Sequence, residues 1–65
     1  MVKLTRINDT EVVINSDLIE FIEALPDTII TLTNGQKIIV RESVDEVVEL
    51  VKAYKRDIYS RLFGE

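Results

Sequence analysis

The sequence predicts an α+β fold in which a small antiparallel sheet of four to five short strands is covered by one C-terminal helix. Apolar and polar residues alternate in short segments between residues 2 and 41, which is the pattern of half-buried strands. Asn34-Gly35 separates two such segments and is a strong hairpin signal. After Ser43, apolar residues recur every three or four positions up to Leu62, as in an amphipathic helix.

The first two strands are expected to form a hairpin. Residues 2–8 alternate, and residues 11–14 give a short second segment with Val12 and Ile14 on one face. Residues 8–10 (NDT) join them and predict a turn, because Asn and Asp tolerate positive φ and can bond their own backbone.

The pattern of residues 18–25 is compatible with either a short helix or a strand. The helical spacing is met by Leu18, Phe21, Ile22 and Leu25. However, Ile19 and Phe21 also alternate against Glu20, and Pro26 forces the residue before it out of the helical region. We favour a strand, and a short helix remains the alternative.

Residues 28–33 and 36–41 predict the next two strands, joined by Asn34-Gly35. Both turn residues accept the positive φ of a type I′ turn, which is therefore the expected turn type. Ile29 and Ile39 fall on the face opposite the other apolar residues, which suits a sheet partly covered on both sides.

The C-terminal helix is expected to span about residues 44–62. Ser43 and Glu46 match a capping box, which satisfies two backbone N–H groups at a helix start. Acidic residues lie in its first turns and basic residues in its later ones, complementing the helix dipole. The predicted core of the whole domain consists of Leu4, Val12, Ile14, Ile19, Phe21, Ile30, Leu32, Ile38, Val40, Val47, Val51, Tyr54 and Ile58.

Size and composition limit how the chain can be stabilised. It has 65 residues, expected to form one domain (1–65), with no cysteine and no histidine. A domain this short hides only about 60% of the surface that its unfolded chain exposes. Disulfides cannot help, and a zinc site is not expected. We therefore expect self-association into a homo-oligomer.

Net charge and hydropathy restrict the expected classes of binding partner and the expected cellular location. The formal net charge of −4 disfavours nucleic acid, because such binding depends on Lys and Arg releasing counterions. No apolar run approaches the about 20 residues of a transmembrane helix, and the N-terminus lacks the apolar block of a signal peptide. A cytoplasmic protein without membrane insertion is expected.

Two groups on the helix are candidates for contacts. Leu50, Tyr59 and Phe63 lie off the main apolar stripe and are the candidate protein interface; the alternative is ordinary core and helix end. A basic cluster could touch nucleic acid or lipid headgroups, although a solvated helix end placed by the dipole explains it better. That cluster consists of Lys52, Lys55, Arg56 and Arg61.

No group of residues predicts catalysis. Carboxylate pairs at Glu20 and Glu23, and at Asp45 and Glu49, would need a cleft and separated pKa values to act as acid and base. A chain this small is expected to leave them solvated. We expect no enzyme activity, no catalytic residue, no cofactor and no metal.

Five segments together resemble the small flagellar FlbD (swarming motility protein SwrD) family. They are residues 4–8 (LTRIN), 17–23 (DLIEFIE), 26–35 (PDTIITLTNG), 37–43 (KIIVRES) and the helix around Val47 and Val51. The likeness extends to about Ile58. One departure is Asp9, where the family often has glycine.

The resemblance implies a non-enzymatic bacterial motility protein at the cytoplasmic side of the flagellar motor. Members look like accessory factors that support motor power through contacts with the membrane stators. A looser similarity in the order of strands, hairpin and helix points to LytTR-type DNA-binding domains. A small nucleic-acid-binding regulator is therefore the alternative function.

Overall fold

The computed structural model describes residues 1–24 and 26–63, and the side chain of Phe63 lies outside the described part. The strands and helix are β1 (Val2–Thr5), β2 (Glu11–Ile14), β3 (Ile19–Glu23), β4 (Thr28–Leu32), β5 (Lys37–Val40) and α1 (Val44–Phe63). The α+β class is confirmed. The strands form two antiparallel sheets rather than one: β1 with β2, and β3-β4-β5 in that order.

The predicted first hairpin is confirmed. Val2 lies opposite Ile14, and Leu4 lies opposite Val12. The turn between them uses the backbone freedom of Asp9, which has a φ of 69°. The Asn8 side chain accepts a hydrogen bond from the Thr10 backbone N–H at 3.2 Å, as expected of an Asn turn.

The ambiguous segment is a strand over residues 19–23, preceded by a short 3₁₀ turn at Ser16–Leu18. Its register against β4 shifts between Ile19 and Phe21, so that one extra residue enters β3. Such a bulge breaks the alternation of faces. Leu25 lies outside the described residues.

The bulge overturns one predicted core residue. Ile22 lies opposite the fully buried Ile30, whereas Phe21 lies opposite Thr31 on the other face. Phe21 is 55% exposed, so its assignment to the core is wrong. The reason is that the sequence alternation assumes an unbroken period of two.

The second predicted hairpin is confirmed, but its turn type is wrong. Gly35 has a φ of 87°, and Asp9 is the other residue with positive φ in the described part, so Asn34 does not adopt the type I′ conformation. The Gly35 N–H donates to the Leu32 carbonyl at 2.9 Å, and the Leu32 N–H donates to the Gln36 carbonyl at 2.8 Å. These bonds match a three-residue loop with a glycine bulge.

The two sheets are joined where the end of β1 meets the end of β5. Arg6 forms an isolated bridge with Val40, and the Arg41 N–H donates to the Thr5 carbonyl at 2.8 Å. The Glu42 carboxylate accepts the Thr5 N–H with both oxygens, at 2.9 and 3.1 Å. We call these contacts the junction.

Arg41 extends the junction to the first turn. Its Nη2 donates to the Ile7 carbonyl at 2.9 Å, and its Nε lies 2.6 Å from an Asp9 carboxylate oxygen. The side chain therefore ties the tip of the first hairpin to the segment before the helix.

The core lies between the two sheets and the first half of α1. Its buried apolar residues are Val2, Leu4, Ile14, Ile30, Leu32, Ile38, Val40 and Val47. All of these except Val2 were predicted. Partly buried residues pack against them, including the predicted Val12, Ile19 and Val51 and the unpredicted Ile22. The predicted Tyr54 and Ile58 are half-buried.

A charge added to the buried face of β4 and β5 should destabilise the fold far more than a charge added to the exposed face. Ile30→Asp should unfold the domain, because Ile30 is fully buried and an unpaired buried carboxylate costs several kcal/mol. Ile39→Asp is the matched control, since Ile39 is 40% exposed. Circular dichroism melting should separate them; equal melting temperatures would contradict the assignment of faces.

The junction predicts a pH-dependent stability. Burial by itself raises the pKa of the Glu42 carboxyl, but hydrogen bonds from the backbone N–H groups of Thr5 and Glu42 leave that pKa lowered. A lowered folded pKa stabilises the fold above the ordinary carboxyl pKa, and this stability is lost as pH falls through the folded value.

Glu42→Gln should therefore cost about 1 kcal/mol at neutral pH, a value discounted for partial exposure. The free energies of unfolding of variant and parent should converge in acid. Urea titrations across the acid range measure this, with the exposed Glu23→Gln as control. A difference that stays constant with pH would rule out the proposed role of the ionised carboxylate.

Candidate functional site

The helix begins with the predicted capping box. The Glu46 N–H donates to Ser43 Oγ at 3.1 Å, and the Ser43 N–H donates to Glu46 Oε1 at 3.3 Å. The Val47 N–H donates to the Ser43 carbonyl at 2.9 Å. These bonds fix the start of α1 at Val44, three residues after Arg41 of the junction, so the helix direction is set from its first turn.

The helix is held by the core at its beginning and becomes exposed towards its end. Val47 is fully buried, Val51 is half-buried, and Leu62 is 73% exposed. A helix of 20 residues is about 30 Å long, and the molecule measures 40 × 22 × 19 Å. We call the apolar residues of its second half the distal stripe: Tyr54, Ile58 and Leu62.

Within the described residues, the last ion pair from the helix to another element joins Lys55 to Asp17 of the 3₁₀ turn at 3.3 Å. The next ion pair along the helix, Asp57 with Arg61 at 3.2 Å, lies within α1. The distal stripe thus lies mostly beyond the part of the helix that is tied to the rest of the domain.

The predicted interface residues line two different shallow hollows. Leu50 is 41% exposed and lines a hollow with Ala53 and acidic residues of the first helical turns. Tyr59 is 59% exposed and lines a hollow with Lys52 and Lys55. Arg56 lines both hollows. Phe63 ends the helix, and its side chain lies outside the described residues.

The basic cluster is largely paired with carboxylates of the same chain. Besides the pairs of Lys55 and Arg61, Lys52 lies 3.8 Å from Glu49. All of these side chains are well exposed, so each pair contributes only about 0–1 kcal/mol. The cluster therefore consists of solvated charges along the helix rather than a separate basic patch.

A second apolar surface lies on the outer face of the three-stranded sheet. Phe21 is 55% exposed there, and Ile7 and Ile39 are 44% and 40% exposed; the Ile7 N–H donates to the Ile39 carbonyl at 3.1 Å. The sequence suggested apolar residues on this face at Ile29 and Ile39. Phe21 could not be found there, because the bulge that turns it outward leaves no mark in the alternation.

The described residues contain no group of three carboxylates placed to hold a metal ion. In the same part of the chain, no helix is long and apolar enough to cross a membrane. The arrangement leaves apolar residues such as Leu50 and Leu62, and charged residues along the helix, exposed to solvent.

One family model matches this chain: FlbD, described as flagellar and swarming motility proteins, over residues 1–59. The match covers all five strands and the helix as far as Tyr59, which confirms the resemblance drawn from the motifs. Neither a curated protein nor a solved structure is significantly similar to the chain.

Because side chains become more exposed along α1, those at its start should contribute more to the stability of the domain than those at its end. Val47→Ala should cost about 2 kcal/mol, because it removes two buried methyl groups and leaves a cavity. Leu62→Ala should change stability by less than about 0.5 kcal/mol, since its side chain is exposed. Urea unfolding of both variants tests this. A comparable loss from Leu62→Ala would mean that the end of the helix is covered in solution.

Proposed function

This chain belongs to the FlbD family of flagellar and swarming motility proteins, and we propose that it is a non-enzymatic accessory protein of the flagellar motor. In this proposal it supports motor power by binding the cytoplasmic side of the stator complex. The observation that carries the proposal, beside the family, is the distal stripe, in which Leu62 is 73% exposed and Tyr54 and Ile58 are half-buried, at the end of a helix that is packed on the core mainly in its first half.

The distal stripe has the properties of a protein-contact surface. Its apolar side chains project from a rigid helix, and burial of such side chains drives most protein association. Leu62 in particular is 73% exposed and adds little to the domain's own stability. By helical spacing, Lys55 and Arg61 flank the stripe, so a partner segment that combines apolar and acidic residues would suit it.

The first test is deletion of the gene in its host, followed by a count of flagella and a measurement of motor torque on tethered cells. The proposal predicts normal flagellar number and reduced torque. Loss of flagella would contradict it, since the defect would then lie in assembly or gene regulation, and the nucleic-acid-binding alternative would explain that result.

Complementation then tests the surface. Leu62→Asp should leave the protein folded but fail to restore torque, because a carboxylate replaces the apolar contact. Ser60→Asp is the matched control: it adds the same charge to the same helical turn, about 160° away around the helix. Full torque with Leu62→Asp would exclude the distal stripe as the contact.

A further inference from the structure

Four charged residues form a line along the side of α1 that faces away from the core. They follow one another at spacings of four, three and four residues, which keeps them on one face of a helix. All four are exposed, and by the same spacing they lie opposite the buried Val47. We call them the outer stripe: Asp45, Glu49, Lys52 and Arg56.

The order of charges in the outer stripe is acid, acid, base, base. An axis that crosses the helix between Leu50 and Val51 relates Asp45 to Arg56 and Glu49 to Lys52. A second, antiparallel helix packed against this face, with its own midpoint between Leu50 and Val51 at the same level, therefore sets every carboxylate opposite a cation. The two-fold axis of such a pair runs between the two helices at that level. In a parallel arrangement in register, each residue would meet its own like charge.

We propose that two copies of this chain associate through their outer stripes, with the helices antiparallel and the two-fold axis between them at the level of Leu50 and Val51. The pattern is complementary to itself, which is what a two-fold interface requires. Antiparallel helices also place the positive end of one helix dipole beside the negative end of the other. A second copy is therefore the occupant that the charges specify.

The two hollows beside the stripe fit the same arrangement. The acidic hollow holds the apolar Leu50 and Ala53, and the basic hollow holds Tyr59. The antiparallel placement brings the half of one helix that carries the acidic hollow beside the half of the other that carries the basic hollow. By helical spacing, Ala53 and Tyr59 lie on the two flanks of the stripe, where they would add apolar surface beside the ion pairs.

The charges within one copy leave these contacts available. Glu49 and Lys52 of one helix are 3.8 Å apart and exposed, so they can exchange partners at little cost. In the described part of the chain, no ion pair is formed by Asp45 or Arg56. The complex should be weak and sensitive to salt, because exposed charges are screened within about 10 Å at an ionic strength of 0.1 M.

The test uses two folded variants in which all four residues of the outer stripe carry charge of the same sign. Asp45→Lys with Glu49→Lys makes the stripe wholly basic, and Lys52→Glu with Arg56→Glu makes it wholly acidic. Sedimentation velocity at low salt, about 20 mM, should show each variant alone as a monomer and the equimolar mixture as a heterodimer. The unchanged protein should dimerise at that salt and dissociate at about 500 mM.

A third variant guards against a simple folding defect. This variant carries all four substitutions, which reverse the order of charges in the outer stripe to base, base, acid, acid. The pattern is then still complementary to itself, and the homodimer should return. Circular dichroism checks the helix in each case. The proposal is overturned if the mixture of folded variants stays monomeric, if either variant dimerises alone, or if the unchanged protein is monomeric at low salt. The measurements use purified protein, so their result is independent of the motor proposal.

Discussion

The junction between the end of β1 and the segment before α1 holds the first hairpin against the three-stranded sheet and the start of the helix. Among the residues that the structure describes, the two sheets share no full ladder, and Arg6 forms an isolated bridge with Val40 between them. The two Glu42 hydrogen bonds to Thr5 reinforce that bridge. Without the junction, Leu4 of the hairpin would not be held against the residues that bury it, and a domain of this size has few other contacts to replace them.

The junction also places the helix. Arg41 and Glu42 bind the first hairpin, and the capping box begins at the next residue, Ser43. The start of α1 is therefore fixed from both sides, by the hairpin and by Val47 in the core. In the described part of the chain, the helix forms no ion pair with another element beyond Lys55, and Leu62 is 73% exposed. Attachment of the helix to the core therefore lies mainly in its first half.

The two proposals assign different partners to two faces of α1. The distal stripe is apolar and is proposed to contact another protein, whereas the outer stripe carries charges arranged to match a copy of itself. They lie on opposite sides of the helix, so a dimer formed through the outer stripe would leave both distal stripes accessible. Under both proposals together, two linked copies would bind a partner with repeated sites more tightly than one copy, since the second contact becomes intramolecular.

Local sequence patterns were enough to predict the strand segments with unbroken alternation, both hairpins, the capping box and the course of the helix, because these depend on residues at most a few positions apart. The same patterns placed Leu50 and Tyr59 off the core stripe. Other features became visible in the folded chain alone: the bulge that exposes Phe21, the division into two sheets, the separate hollows of Leu50 and Tyr59, and the hydrogen bond from Thr5 to Glu42, which lie 37 positions apart. Such features depend on which segments, distant in the sequence, come into contact in the fold. Local patterns of polarity contain no information about those contacts.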